Sequence, residues 1–158
     1  MTLHGVRIVK AKHAATAFSG EGAKRFGGRW NTPGTAMVYT AGSASLAILE
    51  MLAHLNSHEL MNRYVLFEVT FDDSLVTVVD PASLPRNWRK SPPSVSVQHV
   101  GDAWVVGAAS AVLRVPSTIV PAEWNYLLNP AHVDFGAIKI GLRQSVRFDP
   151  RLIKTPVS

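Results

Sequence analysis

The segment Phe18–Gly34, reading Phe-Ser-Gly-Glu-Gly-Ala-Lys-Arg-Phe-Gly-Gly-Arg-Trp-Asn-Thr-Pro-Gly, constrains this chain more than any other feature. Five of its residues are glycine. Glycine permits positive φ and lets backbone amides approach a ligand closely. The segment therefore reads as a binding loop that follows a first strand. Lys24, Arg25 and Arg29 make it cationic. An arginine fork suits phosphate or carboxylate, and Trp30 offers a flat stacking face. These properties describe a site for phosphate and a ring, so a nucleotide is the first ligand class to consider.

Charge placement supports that reading. The formal net charge is +5. Residues 1–30 hold Arg7, Lys10, Lys12, Lys24, Arg25 and Arg29 against Glu21 alone, which accounts for the whole excess. In residues 31–158, ten Lys or Arg balance ten Asp or Glu. A concentrated excess points to an anionic ligand, with a solvated basic edge as the plainer alternative. At 158 residues and 47% hydrophobic, the chain suits one globular domain, residues 1–158. It contains no cysteine, which excludes a disulfide scaffold and a thiolate metal site. The six histidines lack metal-ligand spacing, so no metal is expected. No apolar run is long enough to span a membrane, and the N-terminus lacks the apolar core of a signal peptide. A reducing cytoplasm is the expected compartment.

Periodicity predicts a mixed α+β domain, richer in strand than helix. Strands are expected at 4–10, 36–40, 64–71, 76–80, 111–115, 138–140 and 146–148. The strongest is 64–71, where Val65, Phe67, Val69 and Phe71 share one face. Ser43 is placed to cap a helix from Ala44 to about Asn56. A short helix is expected over 101–109, and one or two helical turns over 121–128 after Pro121. Residues 81–96 hold Pro81, Pro85, Pro92 and Pro93 around Trp88-Arg89-Lys90 and read as an ordered loop or lid.

Glu50 is the second informative residue. Its helix, Leu-Ala-Ile-Leu-Glu-Met-Leu-Ala-His-Leu over 46–55, is apolar around nearly its whole circumference, and such a helix is normally buried. A carboxylate there is costly unless paired or hydrogen-bonded. A pair with His54 one turn on, or a bridge to an arginine, is one reading. A carboxylate facing a cleft is the other. Tyr39, at the end of a short strand, fits core packing or stacking beside Arg29. Asn125 and Asn129 are four apart and share a face if that segment is helical, although Asn129-Pro130 is also an ordinary helix stop. There is no Gly-x-Ser-x-Gly, no Walker loop and no dinucleotide fingerprint.

Taken in order, these residues resemble the RES domain, the toxin of a class of bacterial type II toxin–antitoxin pairs. The resemblance runs through Arg7, Phe18 to Gly22, Gly27 to Asn31, Pro33-Gly34, Val38-Tyr39 and Leu49-Glu50. It continues through Leu84-Pro85, Trp88, Gly101 to Trp104, Leu113 to Ser117, Glu123-x-Asn125-Tyr126-Leu127-x-Asn129-Pro130-x-His132 and Phe148 to Arg151. Phe26 departs from the pattern by standing where tyrosine is common. The resemblance implies a fold similar to ADP-ribosyltransferases, a split β-sheet with flanking helices. It implies that NAD is a substrate, not a resident cofactor, and that its nicotinamide–ribose bond is cleaved by hydrolysis or phosphorolysis, with inorganic phosphate as co-substrate in the latter case. Transfer of ADP-ribose to a protein is the alternative.

The family's arginine, glutamate and serine map to Arg29, Glu50 and Ser117, with Ser110 as the other serine, and Tyr39 completes the catalytic set. Contacts to NAD are expected from Arg7, Ser19, Gly20, Lys24, Arg25, Trp30, Asn31, Asn125 and Asn129. The implied partner is an antitoxin with an Xre-like helix-turn-helix domain, and a homo-oligomer within that complex is also compatible. Glu50 would stabilise positive charge developing on the ribose, Arg29 would hold the phosphates, and Tyr39 and Trp30 would wall the nicotinamide. A basic nucleic-acid-binding module needs a stripe of cations with stacking aromatics. Here the cations converge on one loop, so direct nucleic-acid binding is not expected.

Overall fold

A computed structural model describes residues 1–56 and 58–152. Eight strands form one sheet: β1 (Thr2–Lys10), β2 (Val38–Ala41), β3 (Tyr64–Asp72), β4 (Val76–Val78), β5 (Val112–Pro116), β6 (Trp124–Leu128), β7 (Lys139–Ile140) and β8 (Gln144–Val146). Three α-helices accompany them: α1 (Glu21–Phe26), α2 (Ala44–His54) and α3 (Val95–Gly107). The strand order is β4-β5-β6-β2-β1-β3-β7, with β8 also paired to β3. Only β4 and β5 run parallel among these pairs.

The sheet is split in the middle. β1 and β3 pair along their whole length, from Thr2 opposite Asp72 to Lys10 opposite Tyr64. β1 and β2 pair at a single position, Val6 opposite Ala41. Beyond it the strands part, and the Arg7 side chain bridges the gap. Its Nη1 donates to the Tyr39 carbonyl at 2.9 Å and its Nε to the Ala17 carbonyl. The guanidinium is largely removed from water, which pushes its pKa down to about 10.

Strand alternation sends side chains to two faces. On one face, Val6 and Ala41 receive Leu46 and Ala47 of α2. On the same face, Leu113, Val115 and Leu127 pack with Val97 and Trp104 of α3, and with Trp30 and Met37. The other face buries Val38, Val69, Phe71, Val112, Tyr126 and Leu128. On the first face, α2 therefore covers the β1–β2 junction and α3 covers β5 and β6.

The strands at 64–72 and 2–10 follow the sequence pattern closely. Ser43 caps α2 as expected, its Oγ accepting from the Leu46 amide at 3.1 Å. The expected helical turns at 121–128 are instead strand β6, which pairs with β5 and β2. Its Tyr126, Leu127 and Leu128 are buried in the sheet. Each large apolar side chain so buried contributes about 1.5–3 kcal/mol, which outweighs a proline-initiated turn. α3 begins six residues before the expected start, directly after Pro92-Pro93-Ser94. The Gly-rich segment holds the short helix α1. α2 is not buried all round: only Leu46 and Ala47 are fully enclosed, and Leu49 is 42% exposed. Among the described residues no helix is long and apolar enough to cross a membrane.

Candidate active site

Glu50 projects from α2 toward the ends of β5 and β6. Its Oε1 accepts hydrogen bonds from Ser117 Oγ at 2.7 Å and from Asn125 Nδ2 at 3.0 Å. Oε2 has no protein partner among the described residues. Ser117 follows Pro116 at the end of β5 and is fully buried. Its Oγ also accepts from the amides of Ile119 and Val120, both at 3.1 Å, so the hydroxyl proton is directed at Glu50. Asn125 Oδ1 is buried without a protein partner among the described residues. The carboxylate is thus held by one oxygen and presents the other. Neither an arginine nor His54 neutralises it: no ion pair to Glu50 occurs among the described residues, and His54 is exposed.

Arg29 enters from the Gly-rich segment. Its Nη1 donates to the carbonyls of Trp88 (3.0 Å) and Lys90 (2.8 Å), and its Nη2 to Ser91 Oγ (2.8 Å). Partial burial lowers its pKa, while the charge of Glu50 and the phenol of Tyr39 push it back up. Arg29, Tyr39 and Glu50 therefore share one electrostatic neighbourhood. The Tyr39 hydroxyl accepts from the Trp30 amide at 3.1 Å and donates to Asn31 Oδ1. Burial raises its pKa above the usual 10.

The backbone around Arg29 is fixed from both sides. Asn31 Nδ2 donates to the carbonyls of Ala23 (2.8 Å), Thr32 (3.2 Å) and Thr35 (3.0 Å), which folds the segment around one amide. From α3, Gln98 Nε2 donates to the Gly28 carbonyl at 3.0 Å. Asp102 accepts from the Thr32 amide at 3.0 Å and from Thr32 Oγ1 at 2.6 Å. Two glycines are dictated by close approach. A Cβ on Gly28 would lie 2.6 Å from the Tyr39 hydroxyl, and one on Gly101 would lie 1.9 Å from the Trp30 carbonyl oxygen. Gln98, Gly101 and Asp102 were not assigned to the site from sequence. The helix expectation began at Gly101, so it hid the face these three share.

Hydrogen bonds join Glu50, Ser117 and Asn125, and Arg29 lies within electrostatic reach of Glu50 and Tyr39. The structure gives the other expected residues different places. Trp30 is only 2% exposed and packs among Met37, Val97, Trp104 and Leu113, with its ring 6.4 Å from that of Trp88. It has no open face for a nicotinamide, so its contribution is to the core. Asn31 is fully enclosed and spends its amide on the loop. Asn129, also buried, accepts from the Ala131 amide and shapes a turn. Ser19 Oγ accepts from the Glu21 amide at the start of α1, and Gly20 is buried beside Met37. Lys24 and Arg25 are exposed on α1, with Arg25 over the Phe26 ring. Arg7 serves the main chain at the split. Ser110 bonds Thr77, Trp104 and the Val112 carbonyl, so it is Ser117 that meets Glu50. A groove of about 800 Å³ lined by Arg63, Tyr64, Arg143, Arg147 and Phe148 contains none of the expected residues. Among the described residues no group of His, Cys, Asp or Glu is placed to hold a metal ion.

Comparison with known proteins gives a consistent picture. The family described as the RES domain matches residues 4–150. The chain is 40% identical over 147 residues to "Toxin Res" of Yersinia enterocolitica, covering 92% of this chain and 97% of that protein. It is 42% identical over 146 residues to "Prs ADP-ribosylating toxin" of a Sphingobium species, covering 90% of each. It is 32% identical over 114 residues to "NAD(+) phosphorylase MbcT" of Mycobacterium tuberculosis, covering 67% of this chain and 61% of that protein. A chain in the crystal structure of the M. tuberculosis MbcT–MbcA toxin–antitoxin complex superposes with a TM-score of 0.76 at 22% identity, covering 93% of this chain and 85% of that one.

Proposed function

This chain belongs to the RES domain family, and from that premise we propose that it is the toxin of a toxin–antitoxin pair and acts by cleaving the nicotinamide–ribose bond of NAD. The observation that carries the reading is Glu50, held on Oε1 by Ser117 and Asn125 with Oε2 unpartnered, in the neighbourhood of Arg29 and Tyr39. Cleavage builds positive charge on the ribose as the C–N electron pair leaves with neutral nicotinamide. A preorganised carboxylate stabilises that charge without reorganising. The leaving group departs neutral and needs no proton. An oxygen of the acceptor then bonds to the ribose carbon, and its proton passes to Glu50 or to solvent. Arg29 supplies positive charge toward the substrate's phosphates.

Two named relatives support the substrate, one called an NAD(+) phosphorylase and one an ADP-ribosylating toxin. The second favours an alternative on the same scaffold, transfer of ADP-ribose to a protein. The toxin–antitoxin neighbour supports an antitoxin as partner, and we assign that antitoxin an Xre-like domain on the resemblance alone. The test is to incubate the purified protein with NAD and measure nicotinamide. Release should fall by about 10²–10³-fold in Glu50→Gln, the scale of one preorganised electrostatic group, with the circular dichroism spectrum unchanged. Equal release by the folded variant would remove Glu50 from the mechanism.

A further inference from the structure

The motif Leu113 to Ser117 sends its side chains to opposite faces of the sheet. Ser117 faces Glu50, while Arg114 lies on the face that buries Val112, Tyr126 and Leu128. There it stands opposite Tyr126 on β6 and beside Val78 on β4. Trp124, two residues before Tyr126, shares this face, and the Arg114 guanidinium lies over its ring at 4.1 Å. Stacking fixes the plane of the guanidinium but takes up none of its N–H donors. Arg114 Nε is enclosed with no hydrogen-bond partner. Nη1 and Nη2 also lack a protein partner among the described residues, but they are not enclosed. No ion pair to Arg114 occurs among the described residues, and Glu123, its nearest acid in sequence, is exposed. The indole N–H of Trp124 and the hydroxyl of Tyr126 likewise find no protein acceptor among the described residues. Arg7 and Arg29 differ in this respect, because each donates to carbonyl oxygens.

We propose that this face of β5 and β6 seats a carboxylate side chain of a partner protein, the antitoxin of the proposed pair. The inference rests on the toxin–antitoxin reading and adds where the partner docks. Nη1 and Nη2 form an end-on fork that matches the two oxygens of a carboxylate. A guanidinium already held by an aromatic ring loses little further freedom on pairing. Half-buried donors without acceptors cost the free protein stability, and a carboxylate removes that cost. One cation stands among these side chains, which suits a single carboxylate, whereas a nucleic-acid backbone is tracked by several. Arg, Trp and Tyr are the side chains in which binding energy concentrates at protein interfaces. Val78, 49% exposed on the same face, adds apolar contact. Ser117 and Asn125 point from the same two strands toward Glu50, so a partner seated here lies across the sheet from that carboxylate. The anchor is therefore separate from any contact the antitoxin makes at Glu50.

The experiment uses the full chain, the antitoxin encoded beside it, and the variants Arg114→Ala and Arg114→Lys. Affinity for the antitoxin is measured by titration calorimetry. Arg114→Ala should weaken binding about 30-fold, the scale of one hot-spot side chain. Arg114→Lys keeps the charge but loses the fork, and should recover only part of that affinity. Nicotinamide release from NAD and the circular dichroism spectrum should match wild type in both variants. In a second arm, sodium acetate is titrated against sodium chloride at equal ionic strength. The Trp124 indole N–H resonance is followed, assigned by its loss in Trp124→Phe. Acetate should shift that resonance saturably in wild type and not in Arg114→Ala. Equal antitoxin affinity in wild type and Arg114→Ala overturns the docking site and leaves the antitoxin reading standing. An acetate response no larger than that of chloride overturns the carboxylate seat. Failure of the antitoxin to bind wild type is a different result, because it removes the toxin–antitoxin reading and this proposal with it.

Discussion

Ser117→Ala is the most informative single change, because one hydroxyl joins the Glu50 carboxylate to the main chain. The Ser117 Oγ to Glu50 Oε1 distance is 2.7 Å, within the range of a charge-assisted bond. Such a bond contributes about 1.5–3 kcal/mol. The same oxygen accepts from the amides of Ile119 and Val120. Ile119 is exposed and Val120 half-buried, so water replaces much of what those amides lose, and their share is roughly 1 kcal/mol. Ser117→Ala should therefore destabilise by about 3 kcal/mol. At about 2–4 °C per kcal/mol for a chain of this size, Tm falls by roughly 6–12 °C. The carboxylate's part is isolated by a cycle of Ser117→Ala, Glu50→Ala and the double variant, each unfolded in urea. The coupling should be about 2 kcal/mol, because Asn125 loses its partner equally with and without Ser117 and so cancels. Coupling below about 0.5 kcal/mol, the usual additivity error, would refute the claim that this bond orients Glu50.

Three further changes test the scaffold beneath the site. Gly101→Ala places a Cβ 1.9 Å from the Trp30 carbonyl oxygen, so α3 must move. Denaturant unfolding should show a loss of at least about 2–3 kcal/mol, and a loss under about 0.5 kcal/mol would mean that α3 does not sit this close. Asp102→Ala frees both the amide and the hydroxyl of Thr32. It should cost about 2–4 kcal/mol by the same measurement, and a neutral result would detach Asp102 from the loop. Burial holds the Tyr39 phenol above its usual 10. Above pH ~10 the unfolded chain therefore gives up a proton that the folded chain keeps, and stability falls as pH rises there but not below it. Absorbance at 295 nm should show Tyr39 ionising only with unfolding, and an early titration lost in Tyr39→Phe would contradict its burial.

Local signals were readable in the sequence. The alternation of 64–71, the Ser43 cap and the exceptional carboxylate at Glu50 depend on neighbours along the chain. So did the Gly-rich segment, because glycine spacing reports crowding whatever causes it. Hydrogen-bond partners were not readable. Glu50 meets Ser117 and Asn125 at separations of 67 and 75 residues, and Thr32 meets Asp102 at 70. The same limit explains Trp30, Asn31 and Asn129. An aromatic ring or an amide beside glycines looks like a ligand contact until its protein partners are known. β6 was missed for a related reason: a central strand is apolar on both faces, so Tyr126-Leu127-Leu128 shows no alternation to separate it from a helical turn.

Five of the six cations in the first thirty residues, all but Lys10, divide into two kinds in the fold. Lys12, Lys24 and Arg25 are exposed, where solvent and salt screen them. Arg7 and Arg29 are directed inward, and each is satisfied by carbonyl or hydroxyl oxygens, with no ion pair among the described residues. Carbonyls fix the direction of a guanidinium but do not cancel its charge. Arg29 therefore holds the segment Trp88–Ser91 and remains a source of positive potential within reach of Glu50. An ion pair between Arg29 and Glu50 would have neutralised both groups at once. By binding Arg29 to residues 88–91 and Glu50 to Ser117 and Asn125, the fold keeps the two charges within electrostatic reach and unpaired among the described residues. On the proposed reading, a substrate that brings phosphates to one side and a developing ribosyl cation to the other would meet both.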